Sequence, residues 1–126
     1  MRTPRELYAQ YRIMPKLQLH QLRVTAVAQT ICKVFAERVD ERTVVTACLF
    51  HDMGNIIKFD LTKFPDFLEP EGLEHWSQVK KEFEEKYGFD QHAATLMIAR
   101  ELGLSVPVLE CIDSRRTRPD QNRGPR

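Results

Sequence analysis

The chain has 126 residues, 42% of them apolar, which suits one domain with a buried core. Its 19 basic and 18 acidic residues leave a net charge of +1. The excess base sits at one end: Ser114 to Arg126 holds five Arg and one Asp, so the other 14 basic and 17 acidic residues give the body a balance of −3. A mildly acidic body argues against a nucleic-acid-binding face, and no apolar run approaches the roughly 20 residues of a membrane span.

Thr3-Pro4-Arg5-Glu6 has the form of a capping box with Pro at the first helical position, predicting a short helix to about Tyr11. Pro15 marks the next boundary. From Leu17 to Phe35, the residues Leu19, Val24, Val27, Ala28, Ile31, Val34 and Phe35 recur at three- and four-residue steps, predicting an amphipathic helix. The stripe His20, Val24, Val27, Ile31 places His20 toward the core. Asp40 is a candidate N-cap for a third helix through Phe50, stopped by His51-Asp52 and Gly54. Between Ile56 and Leu68 the pattern is irregular and interrupted by Pro65, predicting a loop with one short helix.

Pro70 opens the next predicted helix. Its stripe is Leu73, Trp76, Val79 or Lys80, Phe83 and Tyr87, closed by Gly88. Its aromatic members read as core, and the charged residues from Lys80 to Lys86 read as a solvated face with supporting ion pairs. Asp90 can cap a helix carrying Ala93, Ala94, Met97, Ile98 and Leu102, ended by Gly103. Ser105-Val106-Pro107 restarts a helix through Val108, Leu109 and Ile112. From Arg115 onward there is nothing to bury, so residues 115–126 are expected to be a disordered basic tail after a helical domain over 1–114. With no strand alternation and no repeat, the fold class is all-α, with about six or seven helices. Cys32, Cys48 and Cys111 are odd in number and lack CxxC spacing, so they read as reduced core residues. The N-terminus has no apolar signal-peptide core, and a cytoplasmic location is expected.

His51 and Asp52 end the apolar run Val44-Val45-Thr46-Ala47-Cys48-Leu49-Phe50. Imidazole and carboxylate are both ligands for a divalent metal, and a polar pair in an apolar setting must be satisfied. With His20 on a neighbouring helix, the three suggest a metal site between helices. The alternatives are a core histidine at position 20 and a helix C-cap at His51, where the helix dipole favours His.

Three segments in order resemble the HD domain, a superfamily of metal-dependent phosphohydrolases: Leu19-His20-Gln21-Leu22-Arg23-Val24, then Leu49-Phe50-His51-Asp52-Met53-Gly54-Asn55, then Gln91-His92-Ala93-Ala94-Thr95 running to Ala99-Arg100-Glu101-Leu102-Gly103-Leu104. The resemblance covers roughly residues 17 to 113 and implies an HD-like helical bundle. It also implies that His20, His51 and Asp52 bind one divalent ion, with Asp52 in addition the catalytic candidate. It further implies a fourth ligand, an Asp on a later helix. Neither Asp113 nor Asp120 stands at that place, so the domain is expected to lack its C-terminal part and its activity to be impaired. Asn55 stands where many members have Lys.

The resemblance leaves His92 as a second-metal ligand or a capping and packing residue. Asn55 is a candidate partner of the ligands, or an αL residue after the helix. Arg23 and Lys58 are candidate contacts for a substrate phosphate, with Lys63 in the same irregular segment; the alternative for each is a solvated side chain. His75 reads as surface. The ion is Mn, Fe, Co, Ni, Zn or Mg. The expected function is hydrolysis of a nucleotide or other phosphate ester, with a small phosphorylated substrate as partner and self-association as a further expectation. The alternative is a non-catalytic HD-like regulatory or protein-interaction module.

Overall fold

The computed structural model describes residues 2–34 and 40–113. The expected tail from Arg115 and the end of the second stripe at Phe35 therefore lie outside the described residues. Six α-helical segments follow one another: α1 (Pro4–Gln10), α2 (Pro15–Val34), α3 (Glu41–Phe50), α4 (Leu73–Tyr87), α5 (Gln91–Glu101) and α6, helical over 106–113. Two 3-10 turns, Asn55–Ile57 and Pro65–Leu68, stand between α3 and α4. The described residues contain no strand, so the fold is all-α, and none of their helices is long and apolar enough to cross a membrane.

Local chemistry sets the helix ends. Thr3 Oγ1 accepts from the Glu6 N–H at 3.2 Å, and the Glu6 carboxylate accepts from the Thr3 N–H at 2.8 Å, completing the expected box. Asp90 Oδ1 accepts from the N–H groups of His92 and Ala93 and starts α5. Gly103 follows α5 with φ +73°, the left-handed conformation that glycine adopts most cheaply at a helix end. α4 begins at Leu73, three residues later than Pro70 suggests, because Pro70 and Glu71 belong to the turn before it.

The main core gathers residues between Tyr8 and Ile98: Tyr8, Met14 and Leu17, Phe50 and Met53, Ile56 and Ile57, Trp76, Val79 and Phe83, Ala94 and Ile98. Trp76 is buried and its Nε1–H donates to the Leu68 carbonyl at 3.1 Å. Val79, not Lys80, is the core position of α4; Lys80 reaches across to donate to the Phe59 carbonyl at 2.7 Å. Tyr8 is fully buried and donates to the Leu49 carbonyl, and burial raises its pKa above the usual tyrosine value. Ala47, Ala99, Val108 and Ile112 form a second cluster that docks α6. Of the cysteines, Cys32 is fully buried while Cys48 and Cys111 are partly so, and none forms a disulfide.

The face that α2 buries differs from the expected one. Its buried positions are Leu17, Gln21, Thr25 and Cys32, with Val24 and Ala28 partly covered. Val27 and Ile31 are 60% and 52% exposed. The stripe that includes His20 therefore lies on the flank of the helix, not toward the core. Thr25 and the Oε1 of Gln21 are buried with hydrogen-bond partners, while Gln21 Nε2 is buried with none among the described residues. Thr25 Oγ1 donates to the Gln21 carbonyl at 2.8 Å. Gln21 Oε1 accepts from the Asp52 backbone N–H at 3.1 Å, so α2 is tied to the end of α3.

Candidate metal centre

α3 leads into His51 at its C-cap. The chain then turns: the Asn55 N–H donates to the Asp52 carbonyl at 3.0 Å, and the 3-10 turn Asn55–Ile57 follows. Gly54 makes this turn possible by its size. Its φ is −93°, open to any residue, so backbone freedom is not what it provides. What it allows is contact with α5: an added Cβ would lie 2.5 Å from the Gln91 carbonyl oxygen and 3.0 Å from the Thr95 nitrogen. The Gly54 N–H donates to Thr95 Oγ1 at 2.9 Å, and Thr95 in turn donates to the Gln91 carbonyl. The His51-Asp52 turn is thus clamped between α2 and α5. Asn55 is not in the αL region; Arg12, φ +53°, is the residue other than glycine with positive φ among those described.

His20, His51 and Asp52 come together. One ligand atom from each lies within 4.8 Å of the other two. His51 Nε2 is 3.0 Å, and His20 Nε2 3.4 Å, from Asp52 Oδ2. The two imidazole rings are 5.9 Å apart between centroids. His51 is buried, Asp52 partly so, and the His20 side chain is 52% exposed, so the cluster opens to solvent on the α2 side.

The chemistry of the donors fits a cation. His51 Nδ1 lies 2.6 Å from the Cys48 carbonyl oxygen, which can only accept. Nδ1 must therefore carry a proton, which leaves Nε2 as the nitrogen facing Asp52 Oδ2. A ring nitrogen and a carboxylate oxygen at that distance share either a proton or a cation. A backbone carbonyl that fixes the tautomer of a ligating histidine is a common support for metal binding.

Beside the cluster is a cleft of about 500 Å³. Asn55 and Lys58 line it together with His20 and Asp52, as does Lys63. The structure thus brings Asn55 and Lys58 to the cluster. Arg23 is exposed one turn along α2 and is not among the lining residues. His92 lies outside the three-residue cluster: its Nε2 is 3.2 Å from Asp113 Oδ1, where it links α5 to α6. Asp113 is accordingly engaged there, and Asp120 lies outside the described residues. His75 is exposed, edge-on to Trp76.

Two groups escaped the sequence reading. Gln21 and Thr95 hold the backbone of the motif from either side; their signal was a polar residue recurring within a helix's buried face. The second is a wall of Phe59, Phe64 and Phe67 lining the cleft, drawn from the irregular segment where no periodicity points inward.

The sequence matches the HD domain family over residues 18–120. No curated protein and no solved structure gives a significant match. The family match spans most of the chain and takes in His20, His51 and Asp52, the residues that form the cluster, so the chain belongs to the HD-domain family, within the superfamily of metal-dependent phosphohydrolases.

Proposed function

We propose that the chain is a metal-dependent hydrolase of small phosphate esters. The observation that carries this reading is the convergence of His51 Nε2, its ring oriented by the bond between Nδ1 and the Cys48 carbonyl, on the same point as His20 and Asp52. Two nitrogens and a carboxylate suit manganese, iron, cobalt, nickel or zinc better than magnesium, which prefers oxygen. When bound, such an ion supplies the positive charge that polarises a phosphoryl oxygen and acidifies an attacking water. Three protein ligands leave positions open for water and substrate.

The chain's own residues do the rest. His51 is locked by its Nδ1 hydrogen bond, and the Asp52 backbone by Gln21, so the ligands are preorganised. Asp52 both joins the cluster and orients the attacking water through its carboxylate. Lys58 and Lys63, exposed residues lining the same cleft, offset the charge of the phosphate. Water adds to phosphorus, the P–O ester bond breaks, the alcohol leaves with a proton, and phosphate remains. Cysteines without disulfides suit a reducing compartment such as the cytoplasm.

The test is release of alcohol from p-nitrophenyl phosphate by the purified chain loaded with Mn²⁺, Co²⁺ or Zn²⁺. Turnover that falls at least about tenfold on chelation, and likewise in Asp52→Asn, supports the reading. Turnover indifferent to both sinks it. A second reading, a non-catalytic interaction module, draws on the exposed Val27 and Ile31 beside His20 on α2. A second copy covering that face would give a dimer in light scattering, lost in Ile31→Glu. A monomer at every concentration removes that form of association.

A further inference from the structure

The cleft beside the cluster has a mixed lining. His20, Asp52 and Asn55 line it, and so do Phe59, Phe64 and Phe67 from the segment that follows the motif. The three rings form a compact triangle, with centroid separations of 5.4 Å between Phe59 and Phe64, 5.1 Å between Phe59 and Phe67, and 6.0 Å between Phe64 and Phe67. Phe59 and Phe67 pack on the core. Phe64 is held against both yet is 50% exposed. A large ring left half in water beside two fixed rings is a ready apolar platform.

The loop that carries this platform is fixed from behind. Lys80 of α4 donates to the Phe59 carbonyl at 2.7 Å. Asp60 accepts from the N–H and hydroxyl of Thr62, at 3.0 and 2.6 Å. Those hydrogen bonds hold its carboxyl below the usual aspartate range, so Asp60 is a carboxylate tied to its own loop. Lys58 and Lys63 remain as the cations facing the cleft. Ligand-type side chains, two cations and bare aromatic carbon lining one cleft match a molecule with an anionic head and a flat apolar body. A volume near 500 Å³ is in the ordinary range, roughly 300–1,000 Å³, for such a ligand.

We propose that the Phe59–Phe64–Phe67 wall is the specificity surface of this centre, and that it selects phosphate esters whose organic group is a flat ring over sugar and straight-chain phosphates. The proposal rests on the phosphohydrolase reading. The phosphate lies toward the cluster and the two lysines, and the ring stacks on Phe64. A sugar would bring hydroxyl groups against carbon that cannot hydrogen-bond them, a desolvation loss with no return. A straight chain would forgo most of the face-to-face area.

Phosphonates test this without turnover, because their C–P bond does not hydrolyse as an ester does. Phenylphosphonate and methylphosphonate are titrated calorimetrically into the full chain loaded with Mn²⁺. Phenylphosphonate should bind about tenfold more tightly, in line with measured stacking on aromatic side chains. Phe64→Ala should remove most of that difference and leave methylphosphonate unchanged, with Phe64→Leu in between. Lys58→Ala should weaken both phosphonates by the same factor. Equal affinity of the two phosphonates for the wild-type chain overturns the proposal alone. So does an equal loss for both in Phe64→Ala and Phe64→Leu. If neither phosphonate binds the metal-loaded chain, the proposal and the phosphohydrolase reading fall together.

Discussion

Asp52→Ala should lower the affinity of the chain for Mn²⁺ or Zn²⁺ by about a hundredfold or more. Loss of a residue that merely supports a ligand reduces metal affinity by about 10–100-fold, and Asp52 is proposed as a ligand itself. It is the anionic member of the cluster, and its Oδ2 is the atom that both histidines approach. Without it, two imidazoles remain, one of them half exposed on α2. The effect should also appear as stability. An ion present at about 100 times its Kd stabilises the wild-type chain by about 2.7 kcal/mol, and Asp52→Ala should lose most of that increment. Calorimetric titration with a thermal melt, each with and without metal, reads both quantities. His92→Ala is the control. Its side chain is bonded to Asp113 and lies outside the cluster, so the affinity of this site should not change. Equal affinity in wild type and Asp52→Ala would remove the metal centre from this place in the fold.

Gly54→Ala should destabilise the fold by about 2–3 kcal/mol, the upper part of the usual overpacking range. The new Cβ would meet the Gln91 carbonyl oxygen at 2.5 Å, the Ala94 Cβ at 2.9 Å and the Thr95 nitrogen at 3.0 Å. Two of these three are backbone atoms of α5, so no side-chain rotation relieves the clash and the helix must move. Movement would also stretch the buried Gly54 N–H to Thr95 bond, and a buried donor left without its acceptor costs about 1–3 kcal/mol. Because Asp52 lies two residues away on the same turn, metal affinity should fall with stability. Gly103→Ala makes a useful contrast. Nothing lies near its Cβ position, and the penalty there is only that of a positive φ, about 1 kcal/mol. Urea unfolding of both variants separates the two causes. An unchanged midpoint in Gly54→Ala would mean that α5 does not press on the motif.

Interactions that span three or four residues were legible without coordinates. The Thr3–Glu6 box and the Asp90 cap close within one turn, so their residue types and spacing define them. The His51-Asp52 pair is legible for a related reason: adjacent ligand types at the end of an apolar helix are rare without a use. The all-α class followed from periodicities that persist over ten or more residues.

The face that α2 buries was decided elsewhere. The helix is apolar on more than one side, with Leu19, Leu22, Val27 and Ile31 all substantially exposed. Its buried side includes the polar Gln21 and Thr25. Hydrophobicity alone favours the wrong stripe, because the buried side is tied down through Gln21 Oε1 by the Asp52 N–H, a partner 31 positions away. His20 consequently reaches Asp52 from the flank of its helix, and the cluster opens toward solvent instead of closing in the core.

The role of Gly54 and the aromatic wall belong to the tertiary structure in the same way. A glycine after a helix reads as a stop until the chain packs; here its φ is negative and the missing Cβ is what lets α5 approach. Phe59, Phe64 and Phe67 have no helical period that would mark a shared surface. They meet because two 3-10 turns fold the segment onto α4, and because Lys80 holds Phe59 there by its carbonyl. Residue types within one turn set the caps at Thr3 and Asp90, and helical periodicity set the all-α class. Which side chains line the cleft together was decided only when distant backbone donors and acceptors found their partners, since those pairings carry no local pattern.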